Sequence, residues 1–148
     1  MVYAAVVRKP TRTPIGLLLA NTAKAVNRAF DATLVAAGGS APIWLILISL
    51  KNQPQANQRE IAAAVGIQGA TLTHHLNAME TDGLIARSRD PENRRVHQVR
   101  LTDKGEKLFH QLAAAARAHD RRLHAGFGGD ELDTLAGLLV RMRDNVTG

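Results

Sequence analysis

Arginine is concentrated in one short stretch of the chain, residues 87–101, around a turn-like segment at positions 90–93. A guanidinium is planar and permanently charged, so it can bridge phosphates or enter the narrow minor groove of DNA. Asp90 can hold the side chain of Arg94 in one rotamer and so fix the direction of that cation. The stretch therefore predicts binding to a polyanion, and to DNA in particular. The predicted contacts are Arg87, Arg89, Arg94 and Arg95.

A second group of residues forms the outward face of the predicted helix at positions 68–77; its members are small or able to form hydrogen bonds, and none is acidic. Such side chains can approach base edges in the major groove, where Gln and Asn pair with adenine and Thr methyl groups meet thymine methyl groups. The alternative is an ordinary solvated helix face, which usually carries Glu and Lys; the first acid here is Glu80. The predicted contacts are Gln68, Gly69, Ala70, Thr71, Thr73, His74 and Asn77, with Asn57 and Gln58 at the start of the preceding helix.

Both groups need rigid supports, and the sequence around them contains the signals for such supports. Asn57 begins a capping box, and Gly66 supplies a tight turn after the short helix that follows. An apolar stripe over residues 72–79 indicates a second helix. Residues 84–89 and 95–101 read as the two strands of a hairpin. Two short helices followed at once by a basic hairpin form a winged helix-turn-helix.

Further helix starts flank this region. Thr13 before Pro14 predicts a hydroxyl cap with proline at the first helical position. Ser40, Thr102 and Asp130 predict three more starts. The first and last helices carry more apolar surface than one small core needs, so we expect the protein to be a homodimer. The residues predicted to form the dimer interface are Ile15, Leu18, Leu19, Leu132, Leu135, Leu139 and Met142.

The composition agrees with a protein that binds nucleic acid. The chain has 148 residues, a formal net charge of +6 and a pI near 10.5, and an excess of cations suggests a polyanionic partner. The absence of cysteine excludes disulfides, thiolate zinc sites and thiol redox sensing. No apolar run approaches the length of a membrane span, which takes about 18 residues. We therefore expect one cytoplasmic domain with no membrane partner.

Four segments together resemble the MarR family of bacterial winged-helix regulators: "PIWLIL", "NQREIAAAVGI", "GATLTHHLNAMETDGLI" and "RSRDPENRRVHQVRLTDKG". The resemblance covers residues 42–107 closely and the outer helices loosely. The chain departs from the family pattern at Asn93, where an acid is usual. It departs again at Gln68-Gly69, where many members have Ser-Pro, so the recognition helix is expected to have a weaker N-cap.

The resemblance implies a mainly α fold with a small β wing. It implies a single domain in which residues 1–37 and 102–148 form the dimerisation region and residues 40–101 form a DNA-binding lobe. It also implies a transcriptional repressor that binds an inverted-repeat operator and responds to a small aromatic or amphipathic effector. The effector would bind in a cleft between the dimer helices and the lobe, with Arg12, Arg28 and Trp44 as candidate lining residues.

Other functions have weaker support in the sequence. An enzyme would need paired carboxylates, a nucleophile with its base, or a phosphate loop, and no such pattern is present, so we expect neither catalysis nor a cofactor. A metal-responsive regulator could use the i, i+4 pairs Glu106/His110 and Asp120/His124, although such pairs are commonly surface ion pairs. A winged-helix module that binds protein is the third alternative, and the number of wing arginines argues against it.

Overall fold

A computed structural model describes residues 12–93 and 97–148. These residues form helices on either side of a two-stranded antiparallel sheet. The predicted fold class, mainly α with a small β wing, is therefore confirmed. The elements in chain order are α1 (Ile15–Ala36), α2 (Ala41–Asn52), α3 (Gln58–Val65), α4 (Gly69–Thr81), β1 (Ile85–Arg89), β2 (His97–Leu101), α5 (Asp103–Leu123) and α6 (Gly129–Thr147).

Three of the predicted helix caps are confirmed by side-chain hydrogen bonds. Ser40 Oγ accepts from the amide of Ile43 at 3.3 Å. Asn57 Oδ1 accepts from the amide of Glu60 at 2.8 Å, and the Glu60 carboxylate accepts in return from the amide of Asn57 at 3.1 Å. Thr102 Oγ accepts from the Gly105 amide at 3.1 Å. These bonds satisfy amide groups that have no partner within the helix.

The predicted starts of the first and last helices are each wrong by one residue. Pro14 has an extended backbone (ψ 139°) and is itself the N-cap of α1, without a side-chain hydrogen bond, so Thr13 lies one residue too early to cap. The last helix begins at Gly129 rather than at Asp130. Its first turn is held by Glu131, whose carboxylate accepts from the Gly128 amide at 3.0 Å.

One hydrophobic core joins α1, α2 and α5 to the helices and sheet that follow α2. Its fully buried side chains come from almost every described element, which makes the sheet and the helix-turn-helix one rigid unit. The largest of them are Leu34, Ile46, Leu47, Ile61, Leu72, Leu76, Met79, Val99 and Leu112.

β2 lies between β1 and the segment before α3. The register pairs Ile85 with Leu101 and Arg87 with Val99. On its other side the Val99 amide donates to the carbonyl of Ala56 at 2.9 Å. β1 has β2 on one side only in the described sheet, so β1 is the edge strand.

A tight junction connects α4 to β1. Gly83 adopts a left-handed conformation (φ +76°), and the Leu84 amide donates to the carbonyl of Met79 at 2.9 Å, which together form a Schellman-type helix end. Thr102 at the start of α5 donates its hydroxyl to the Gly83 carbonyl and its amide to the Leu84 carbonyl at 3.1 Å. Gly105 is buried against the same Leu84 carbonyl. The direction of the wing is therefore fixed at its base by α5.

The outer helices expose apolar side chains in the single chain. Every residue of α6 is exposed except Leu132, which is half-buried. No single helix among the described residues is long and apolar enough to cross a membrane; α1 and α2 meet that test only as a pair bent by 77°. The exposed large apolar residues of α1 and α6 are Ile15, Leu17, Leu18, Leu19, Val35, Leu135, Leu138, Leu139, Val140, Met142 and Val146.

Candidate nucleic-acid interface

α3 and α4 form the predicted helix-turn-helix. Gly66 ends α3 in the left-handed region (φ 73°), and its amide donates to the Ala62 carbonyl at 2.9 Å. The two helices are also joined by side chains, because Gln58 Nε2 donates to Thr73 Oγ1. That hydroxyl donates in turn to the Gly69 carbonyl at 2.9 Å. Gln58 and Thr73 are half-buried, and their polar atoms help to fix the angle between the helices.

The first turn of α4 is open to solvent. Gln68 is its N-cap and makes no side-chain capping bond, as expected from the missing Ser-Pro. The side-chain amide of Gln68 is therefore not used in capping the helix and can bind another partner. The rings of His74 and His75 lie 5.8 Å apart, with His74 exposed and His75 half-buried. Among the contacts predicted at positions 68–77, the exposed residues are Gln68, Gly69, Ala70, Thr71, His74 and Asn77.

Arg87 on β1 is bound to the last turns of α4. Its Nε and backbone amide both donate to Glu80 Oε2 at 3.2 Å. One terminal nitrogen donates to Glu80 Oε1 at 3.1 Å and to Asn77 Oδ1 at 2.6 Å. Two residues predicted as DNA contacts, Asn77 and Arg87, are thus bonded to each other.

This cluster changes the acidity of Glu80. The hydrogen bond from Arg87 and its positive charge hold the pKa of the Glu80 carboxyl below its ordinary value of 4.5, against a smaller opposing effect of desolvation. The carboxylate therefore stays ionised at neutral pH, and the pair keeps its charge-assisted hydrogen bonds.

The wing tip is described only in part. Arg89 at the end of β1 is exposed, and Asp90 Oδ1 accepts from the Glu92 amide at 2.9 Å, which shapes the turn. Arg94 and Arg95 lie outside the described residues, so the predicted support of Arg94 by Asp90 remains a prediction.

An aromatic pair lies between α2 and α5. The Trp44 ring stacks on Phe109 at 5.6 Å between centroids, with 18° between the planes. Lys51 Nζ lies 5.3 Å from the Phe109 centroid and forms an ion pair of 3.0 Å with Glu106. Of the other candidate effector residues, Arg12 and Arg28 are both exposed. No hydrogen bond or ring contact joins either arginine to Trp44 in residues 12–93 and 97–148.

The candidate metal ligands do not form a site in the described ranges. His110 Nε2 lies 4.0 Å from Glu106 Oε2, while Glu106 also binds Lys51. Nowhere in residues 12–93 and 97–148 do three or more His, Asp or Glu side chains group so that they could hold a metal ion. The Glu106/His110 pair therefore lies at the surface with no third candidate ligand grouped with it among the described residues.

The sequence analysis did not identify two residues that contact predicted site residues: Glu80, which binds Arg87, and Phe109, which stacks on Trp44. Glu80 was noted only as the first acid after an acid-free face, and Phe109 was not singled out. The contact between Glu80 and Arg87 could have been suspected, because Glu80 lies near the end of α4 and the next strand carries an arginine. Asn77 and Glu80 share a helix face at spacing i, i+3, so one arginine can reach both.

Comparisons with known proteins agree on one family. The sequence model of the MarR family matches residues 40–97. The uncharacterised HTH-type transcriptional regulator YdgJ of Bacillus subtilis (strain 168) is 29% identical over 122 residues, covering 82% of this chain and 74% of YdgJ.

Solved structures agree as well. The transcriptional repressor CouR, bound to a 23-mer DNA duplex, is 30% identical, with a TM-score of 0.77 over 88% of this chain and 92% of CouR. Bordetella bronchiseptica BpsR, whose DNA binding is regulated by 6-hydroxynicotinic acid, is 24% identical, with a TM-score of 0.73 over 87% of this chain and 98% of BpsR. These matches confirm a regulator rather than an enzyme. The chain belongs to the MarR family of DNA-binding transcriptional regulators, in which dimers are typical.

Proposed function

We propose that this protein is a ligand-responsive transcriptional repressor that binds an inverted-repeat operator as a homodimer. The observation that carries the proposal is the exposed first turn of α4, which has no acid and lies on a helix fixed to a basic wing. The family and the DNA-bound repressor CouR support the same assignment. Such a regulator works where the chromosome is, in the cytoplasm.

The first turn of α4 is proposed to read the bases. The N-terminal residues of a recognition helix enter the major groove, where Gln68 can pair with adenine and the Thr71 methyl can meet thymine. His74, one turn later, is exposed and can add a hydrogen bond. The other proposed contacts around this turn are Asn57, Gln58, Gly69, Ala70 and Thr73.

The wing is proposed to hold the DNA backbone or the minor groove. Arg89 is exposed at the end of β1, and Arg94 and Arg95 follow the turn in the sequence. Arginines used in this way add affinity for every duplex, so Arg94→Ala should weaken all binding and lower the salt slope by about one unit.

The outer helices are proposed to form the dimer. Their exposed apolar residues, among them Leu19, Leu139 and Met142, would lose contact with water when two copies pair. The same proposal assigns residues 1–37 and 102–148 to dimerisation and residues 40–101 to DNA binding. A two-fold dimer presents two α4 helices to successive major grooves about 34–36 Å apart, which requires an inverted repeat.

A small aromatic or amphipathic effector is proposed to control binding. The regulation of BpsR by 6-hydroxynicotinic acid supports this class of ligand. The half-buried rings of Trp44 and Phe109, stacked between α2 and α5 beside the Lys51–Glu106 ion pair, are the aromatic group proposed to contact the effector. An effector that binds the DNA-free form more tightly would release the operator.

The test begins with selection of duplexes from a random pool by the wild-type protein. Gln68→Ala, Thr71→Ala and His74→Ala are then measured on the selected duplex and on a shuffled duplex of the same composition. A true base contact should cost about 1–3 kcal/mol on the selected duplex and little on the shuffled one. Equal losses on both duplexes in all three variants would contradict base reading by this turn.

A further inference from the structure

One side of α4 is occupied by contacts within the protein. Thr73, Asn77 and Glu80 follow one another at helical spacing, so they lie on the same side of the helix. Thr73 binds Gln58 of α3, and both Asn77 and Glu80 bind Arg87 of β1. The face predicted to contact DNA is therefore divided: this side holds the neighbouring elements, whereas within residues 12–93 and 97–148 the side chains of Thr71 and His74 make no hydrogen bond to another element.

Glu80 also completes the edge of the sheet. In an antiparallel ladder, the two residues of a pair direct their amides either toward each other or away from each other. The Val99 amide donates away from β1, to Ala56, so the amide of its partner Arg87 points out from the sheet edge. Glu80 Oε2 accepts that amide at 3.2 Å and the Arg87 Nε at the same distance. One carboxylate thus fixes both the strand and the side chain.

From these contacts we propose that Glu80 is a positioning residue, which with Asn77 and Arg87 forms a clamp that sets the wing against the recognition helix. This inference rests on the proposed function and assigns Arg87 and Asn77 a role other than direct DNA contact. Only 20% of the Arg87 side chain is exposed, so most of its surface faces protein. A fixed wing lets the arginines at its tip and the first turn of α4 meet the same duplex together.

The proposal makes a prediction of opposite sign to simple electrostatics. Removing an acid from a surface that faces DNA should strengthen binding to every sequence, because phosphates are repelled less. Loss of the clamp should instead weaken binding to the cognate site. Glu80→Gln should therefore bind the selected duplex about tenfold less tightly, because residues within one hydrogen-bond network are usually coupled by an energy of that order. Its affinity for the shuffled duplex should change little.

Two further variants complete the experiment. Glu92→Gln makes the same charge change in the exposed wing turn and should retain or strengthen binding to both duplexes. Arg87→Lys keeps the charge but loses the planar fork, so it should resemble Glu80→Gln, with a salt slope like that of the wild type. Melting temperatures of all variants establish that each is folded.

The outcomes separate the possibilities. If Glu80→Gln behaves like Glu92→Gln, or if Arg87→Lys retains wild-type affinity for the selected duplex, the clamp is overturned and Arg87 is an ordinary phosphate contact. Equal losses on both duplexes would overturn it too. A wild-type protein that enriches no sequence from the random pool would overturn the proposed function, on which this inference rests.

Discussion

Replacing Gly105 with alanine should destabilise the protein by closing the space between α5 and the base of the wing. A Cβ at this position would lie well under 3.0 Å from the Leu84 carbonyl oxygen and 3.1 Å from its carbon. Both are backbone atoms, so no side chain can rotate away. Overpacking of this kind costs about 1–3 kcal/mol. The higher helix propensity of alanine opposes this cost by stabilising the helix by about 1 kcal/mol.

Because the clash is with backbone atoms, the overpacking cost should lie at or above the upper end of this range. After the gain in helix propensity is subtracted, the free energy of unfolding should fall by about 2 kcal/mol. For a chain of this size that corresponds to a fall in melting temperature of about 4–8 °C. Thermal unfolding followed by circular dichroism, at equal protein concentrations, measures it. Gly69→Ala at the start of α4 is the matched control, since a Cβ there meets nothing within 4 Å and no DNA is present in this measurement, and it should melt at or above the wild type. A Gly105→Ala protein as stable as that control would refute the proposed packing.

Three other predictions follow from named contacts. Asn57→Ala should lower the free energy of unfolding by about 1 kcal/mol in urea denaturation, because the capping box is lost; Asn57→Asp, which can still accept, should not. Leu139→Asp should convert the dimer to a monomer in sedimentation at micromolar concentration, and a monomeric wild type would contradict the interface. Arg87 lowers the pKa of Glu80 in the folded protein. The stabilisation by the ionised Glu80 carboxylate is therefore complete at pH values above the ordinary pKa of a glutamate, and it is lost as the pH falls through the lower pKa of the folded state. The difference in melting temperature between wild type and Glu80→Gln should accordingly be constant from about pH 6 to 8 and shrink below about pH 4.5; a difference that grows on acidification would contradict this.

Local signals were enough to predict much of the fold. The caps at Ser40, Asn57 and Thr102 depend on atoms within one helical turn, so the sequence contains all the information they need. The apolar stripe of α4 and the hairpin are likewise set by short-range periodicity. The start of α1 was misplaced because Thr13-Pro14 is compatible with two neighbouring registers, and the choice between them is not local.

Relations between distant segments could not be predicted in the same way. Asn77 was predicted as a DNA contact, which remains a prediction; its hydrogen bond from Arg87 was not predicted, because that bond depends on the angle at which β1 returns beside α4. The stacking of Trp44 on Phe109 joins segments far apart in sequence. Helix and strand periodicities show which side of an element is apolar. They do not show which polar residues meet across two elements, because the core and the Gly83 junction decide that.

The exposure of α6 has a consequence for how the protein responds to its own abundance. Nothing in residues 12–93 and 97–148 of a single chain covers the apolar side of this helix, so under the proposed dimerisation the assembly of the active form is second order in protein concentration. Each tenfold dilution disfavours the assembled state by about 1.4 kcal/mol relative to separate chains. Copy number therefore enters operator occupancy twice, first in pairing and then in DNA binding. Below the dissociation constant of the dimer, occupancy should rise with the square of expression level, which gives the regulated promoter a sharper threshold than a monomeric repressor would.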